Sequence, residues 1–160
     1  MEAFLAEEYG IKDGIVPQEV SASAVNGERI SLENLHRVTV LVSVAATASA
    51  ALSLTLRQHN AASAGDSKDL SVDNMYYHKV DAASSFTKVE PASAAASYDL
   101  FAVADVDKAV FAFEVLAEDL DVNNDFSHFS VDVTGDATAR LVHAIYVGPA
   151  DKLPAYELEL

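Results

Sequence analysis

Val110–Val133, VFAFEVLAEDLDVNNDFSHFSVDV, decides the fold class of this chain. In its first part Phe111, Phe113 and Val115 share one face, and Val110, Ala112 and Glu114 share the other. In its second part Phe129, Val131 and Val133 alternate with His128, Ser130 and Asp132. Side chains on a strand repeat every second residue, so this is the pattern of two half-buried strands. The acidic, Asn-rich run between them is a connection, with Ala117–Asp121 read as one helical turn.

The same period recurs upstream. Val38–Leu56 has 19 residues without a charge, about the length a bilayer needs. Thr39, Ser43, Ser49, Ser53 and Thr55 interrupt it at odd positions, while Val38, Val40, Val42 and Val44 hold even ones. After Ala45–Ala50, Leu52, Leu54 and Leu56 resume. A period of two reads as a hairpin, not a membrane helix.

At 160 residues the chain is large enough for one domain with a genuine core. The hydrophobic share is 51%, which excludes compositional disorder, though much of it is Ala. With 25 acidic and 10 basic residues the formal charge is −15. Nucleic acid and anionic membrane surfaces are therefore not expected partners. There is no cysteine, so disulfides, thiolate metal sites and Cys nucleophiles are excluded. The start, MEAFLAEEYG, lacks the basic and apolar regions of a signal peptide, and synthesis in the cytoplasm is the expectation.

The rest of the chain divides into an N-terminal arm (1–19), a β domain (20–150) and a C-terminal tail (151–160). Within the arm, Met1–Gly10 reads as a short helix or docking segment and Ile11–Pro17, broken by Gly14 and Pro17, as extended linker. Val20–Val25 is a short strand, and Asn26-Gly27 has the composition of a hairpin turn before a strand near Arg29–Leu32. Arg57–Asp69 reads as a surface loop, and Met75–Val80 and Phe86–Val89 as strands. Tyr98–Val103 and Ala139–Val147 return to sheet. In the last strand both faces are apolar, as in a strand covered on both sides. Nine or ten short strands predict an all-β antiparallel β-sandwich, jelly-roll-like in topology.

Candidate chemistry is sparse. Asp119, Asp121, Asn123 and Asp125 fall at every second position, like the start of a calcium loop. The position that needs Gly holds Asn124, and the one that needs a bidentate acid holds Ser130, so a solvated turn is the better reading. His36, His59, His78, His128 and His143 show no zinc-pair spacing, and His143 reads as a hydrogen-bonded core or interface histidine. No nucleophile elbow or phosphate loop is present. Carboxylate pairs are as common as the acid excess makes them, and no Trp is available to hold a sugar. No enzymatic activity, metal or cofactor is expected.

The order of segments resembles that of small tailed-phage virion proteins, the head decoration or cement proteins. The resembling residues are VTVLVSV (38–44), LSLTLRQH (52–59), DSKDL (66–70), FTKV at Phe86–Val89, FEVLAEDLDVNNDFSHFSVDV (113–133) and AIYV at Ala144–Val147. They span roughly 35–147, most of the chain. The resemblance implies a jelly roll or related sandwich, bound in many copies to the capsid exterior. Such proteins assemble as dimers or trimers and brace neighbouring major capsid subunits against internal pressure. The expected partners are then the major capsid protein and other copies of this chain. The expected anchors are Phe4, Leu5 and Tyr9, and after them Tyr156, Leu158 and Leu160. A rival from another class is a host-glycan or receptor-binding module on a tail or fibre, with Tyr76/Tyr77 as the one adjacent aromatic pair. A metal-dependent double-stranded β-helix enzyme ranks last.

Overall fold

The computed structural model of the chain describes residues 9–45, 51–72, 75–79, 87–89, 97–100, 108–136, 138–149 and 153. Of 77–79 and 87–89 it describes the backbone alone. Twelve strands lie among these residues: β1 (Tyr9–Val20), β2 (Ala24–Asn26), β3 (Ile30–Ser31), β4 (Arg37–Ala45), β5 (Leu52–His59), β6 (Ser67–Asp69), β7 (Met75–Lys79), β8 (Thr87–Val89), β9 (Ser97–Asp99), β10 (Lys108–Leu116), β11 (His128–Gly135) and β12 (Arg140–Pro149). The first sheet has the order β1-β12-β4-β10-β7-β8. The second runs β2-β11-β5-β6, with β3 also on β11 and β9 also on β5. The pairings are antiparallel. Most successive strands change sheet, so β1-β12-β4-β10 facing β2/β3-β11-β5-β9 is the jelly-roll arrangement that the short, alternating strands predict.

Period-two patterning puts the core between the sheets. Val38, Val40, Val42 and Val44 of β4 and Phe111, Phe113 and Val115 of β10 point inward from the first sheet. Leu52, Leu54 and Leu56 of β5 and Phe129, Val131 and Val133 of β11 point inward from the second. Register sets large side chains beside small ones. Tyr146, Val40, Phe113 and Met75 form one row across four strands, and Ala144, Val42 and Phe111 form the next. That alternation lets the two layers interdigitate at native density.

Tyr146 ties the layers together through its polar end. Its phenol oxygen accepts from the Val131 N–H at 3.1 Å, and its O–H donates to the Glu28 carbonyl at 3.1 Å. Burial raises its pKa well above the usual tyrosine range, so it stays a neutral donor. Tyr146→Phe leaves both backbone groups without this partner, and about 2 kcal/mol of stability should be lost. Urea unfolding measures it; a loss under about 0.5 kcal/mol would mean that the phenol does not bridge the sheets.

Several sequence expectations change at this level. The two apolar halves of Val38–Leu56 are not a hairpin: β4 and β5 lie in opposite sheets. Their valine and leucine faces are both buried, one from each sheet, in the core between the layers. The two halves of Val110–Val133 likewise belong to different sheets. Asn26-Gly27 is not a hairpin turn either, because β2 and β3 sit end to end along β11. The Gly27 N–H donates to the Val131 carbonyl at 3.0 Å, and a Cβ there would come within 2.3 Å of that oxygen. Close approach, not a tight turn, is what this glycine serves.

Ile11–Pro17 is not a linker. It is the middle of β1, paired with β12. Gly14 and Pro17 look like breakers but sit on an edge strand, where register shifts absorb them between Asp13 and Ile15 and between Ile15 and Gln18. Residues 9–19, read as part of an arm, thus lie in the sheet. Arg57–His59 and Ser67–Asp69 pair as β5 and β6, which shortens the loop read at 57–69 to 60–66. The last strand is flanked by β1 and β4, and on its outer face Leu141 is 60% exposed while Ile145 and Val147 are half-buried. The helical turn is present as a 3-10 turn at Ala117–Asp119.

Candidate functional site

The first sheet turns an apolar surface outward. Register places Ile145 beside Leu41, Leu41 beside Ala112, and Ala112 beside Tyr76, across β12, β4, β10 and β7. Ile11 and Val147 are partners on one side of that row, and Leu141 and Val110 lie on the other. Among the described side chains of this face, Arg37 and Lys108 are the cations and Asp13, Glu19 and Glu114 the carboxylates. Of the 14 carboxylates among the described residues, 11 lie off this face, so its described part carries little net charge to hold a partner off.

Each end of the face is concave. At one end a cleft of about 620 Å3 is lined by Tyr9, Leu35, Arg37, Thr39, Val147 and Pro149, among others. At the other a shallower pocket of about 200 Å3 lies between Pro17, Ser43, Ala45 and Leu141. His143 Nε2 sits 3.1 Å from Asp13 Oδ1 on the face itself, so this histidine is a surface-paired group and not a core one.

Of the anchors expected from sequence, the structure places Tyr9. It opens β1 opposite Pro149, is 43% exposed, and lines the larger cleft. Phe4, Leu5, Tyr156, Leu158 and Leu160 lie outside the described residues. The outward row of Leu41, Ile145, Val110 and Ala112 is the part that sequence reasoning did not assemble. Each residue was legible as an outward apolar position, but nothing in one chain says that β12, β4 and β10 are neighbours.

The second sheet has a polar outer face with a continuous hydrogen-bond chain. Arg29 Nη2 lies 3.4 Å from Ser67 Oγ, and Ser67 Oγ lies 2.6 Å from His59 Nδ1. His59 Nε2 lies 2.8 Å from Ser130 Oγ, whose O–H donates to Asp132 Oδ1 at 3.2 Å. One assignment satisfies every link. Ser130 spends its proton on Asp132 and so accepts from a protonated Nε2; Nδ1 then accepts from Ser67. His59 is 3% exposed. Burial, with the charges of Arg29, Arg57 and His128, pushes its pKa down to about 4. A ring that binds protons so poorly is a weak base at neutral pH, so the chain of bonds acts as a brace between β5, β6 and β11. The histidines read as scattered in sequence are brought together here at His59 and His128, cross-strand partners.

In the acidic connection, Asp121 accepts from Lys68 Nζ and from Asn124 Nδ2, and its own N–H donates to Gln58 Oε1. The Lys68 hydrogen bond, with that from Asn124, lowers its pKa. These bonds fix the turn against β5 and β6.

No protein-family model matches the chain, and no curated protein matches it. Among the solved structures similar to it are the following two. One is the crystal structure of the SPBc2 prophage-derived protein YomS, 13% identical over 88% of this chain and 94% of that one, with a TM-score of 0.49. The other is of Bacillus endospore appendages, described as forming a novel family of disulfide-linked pili; it is 11% identical over 91% of this chain and 89% of that one, with a TM-score of 0.35.

Proposed function

We propose that this chain is a structural virion protein that decorates the outside of a tailed-phage capsid, as a dimer or trimer, and braces neighbouring major capsid subunits. The observation that carries the reading is the apolar row of Ile145, Leu41, Ala112 and Tyr76 across the outer face of the first sheet, where the described charges nearly balance. Contiguous apolar surface of this kind marks association sites. The segment order that resembles decoration proteins supplies the identity of the partner. Acidity on the remaining surface keeps free copies apart until they meet the lattice, where several weak contacts act together.

Leu41 and Ile145 are cross-strand partners at the centre of the face. The double substitution Leu41→Glu/Ile145→Glu places two charges where a partner would desolvate them. Binding to capsids stripped of the chain should fall by about 100-fold or more. Thr134→Glu, on an exposed position of the second sheet, should leave binding unchanged. Cosedimentation measures both. Equal binding by the double variant, with its fold intact by circular dichroism, would remove this face from the account.

A further inference from the structure

A groove of about 280 Å3 opens between β1, β3 and the start of β11, with Ile30, Ala62 and Leu153 as its apolar lining. Its lining brings together Lys12 of β1, Arg29 and Ser31 of the β3 region, and His128 at the start of β11. Two of the chain's 10 Lys and Arg residues and one of its five His residues thus meet at one groove, and none of its 25 carboxylates is among the described lining residues.

We propose that this groove is a binding site for a phosphate group, free or carried as a monoester. Arg29 is set in place by neutral acceptors. Its Nη1 donates to the Ala61 and Ala64 carbonyls at 3.0 and 2.5 Å, and its Nη2 lies against Ser67 Oγ. The guanidinium is therefore rigid but its charge is not cancelled by these contacts. That charge is felt by His59, whose proton affinity it helps to depress, and by Asp132, whose carboxylate it helps to keep ionised. Three of the five Arg29 N–H groups are used on those acceptors, which leaves Nε–H and one Nη2–H for a ligand. Lys12, Ser31 and His128 line the same groove from separate strands. Donors carried on separate elements can reach a tetrahedral oxyanion from more than one side. The volume exceeds that of one small ion and leaves room for an ester group. This site lies off the apolar face, so it stands apart from the assembly reading.

The test is a titration of the 15N-labelled protein with inorganic phosphate at constant ionic strength, followed by amide shifts. Saturable shifts confined to the neighbourhood of residues 12, 29, 31 and 128 are expected. Lys12→Glu should weaken them by about tenfold or more, and Lys12→Met serves if the reversal disturbs the fold. Val122→Glu, at a position 61% exposed in the acidic connection, should leave the affinity alone. Phenyl phosphate distinguishes the source: tighter binding than inorganic phosphate indicates a monoester, equal binding the free ion. Linear, non-saturating shifts, or the same affinity in the Lys12 variants, would overturn the site.

Discussion

Phe113→Ala is expected to remove about 3–5 kcal/mol of folding stability. Phe113 is fully buried at the centre of β10, between Val40 of β4 and Met75 of β7 on the inner face. Its ring also meets Tyr98, with centroids 5.8 Å apart. Removing it takes away apolar burial and leaves a void that β4, β10 and β7 cannot close, because each of the three is hydrogen-bonded on both sides. A domain of ordinary stability holds only about 5–15 kcal/mol, so the variant should be close to unfolding at body temperature. Glu114→Ala, one residue along and on the outward face, should cost no more than about 0.5 kcal/mol. The pair separates inward from outward positions on one strand. Urea midpoints at unchanged m-value read both. Similar losses at the two positions would contradict the assigned faces of β10.

The second large effect is a loss of stability on acidification that belongs to His59. In the unfolded chain an imidazole takes its proton near 6.5; in the folded chain His59 does so at about 4. Between those values the unfolded state binds more protons, so stability rises with pH across the window and falls as pH drops through it. The full loss is about 3 kcal/mol from pH 7 to pH 4, with most of it below pH 6.5. Asp132 works in the opposite sense. Burial raises its pKa, against hydrogen bonds from Gly27 and Ser130 and the charge of Arg57, so it takes a proton more readily folded than unfolded and returns some stability near the lower end. Asp121 and Asp136, held down chiefly by hydrogen bonds from Lys68 and Arg140, withdraw stability only below the ordinary carboxylate range. His59→Gln should be less stable than the parent at pH 7.5, and the difference should shrink by about 2 kcal/mol on going to pH 5. Parallel stability curves for the two proteins would show that His59 is not held neutral by its surroundings.

Local pattern carried the layers of this fold but not their adjacency. The inward positions of β4, β5, β10 and β11 follow from alternation alone, because each strand has one buried face. Which strands pair is a property of distant segments, and it is there that expectation and structure part. Val38–Leu56 shows why. Adjacent apolar strands joined by a small-residue run satisfy a hairpin as well as a crossover, and only the rest of the core selects the crossover. Gly14 and Pro17 show a second reason. Both read as breakers in isolation, yet an edge strand with register shifts accommodates them, and edge status is not visible in the local sequence. The candidate face was half legible in the same way. Leu141 and Ile145 stood out as apolar residues on the second face of their strand, and Val110 and Ala112 as outward positions. Their union into one surface required the β12-β4-β10 order. The His59 chain was not legible at all, since Ser67 and Ser130 are eight and 71 residues away from it.

A jelly roll by itself does not choose among capsid, lectin and enzyme roles, so the functional claim rests on where copies of this chain are found. The direct measurement is quantitative mass spectrometry of purified phage particles. Hundreds of copies per particle, released by mild denaturant together with a loss of head stability, are expected. Complete absence from the particles would contradict a virion role, and a handful of copies would contradict decoration of the head.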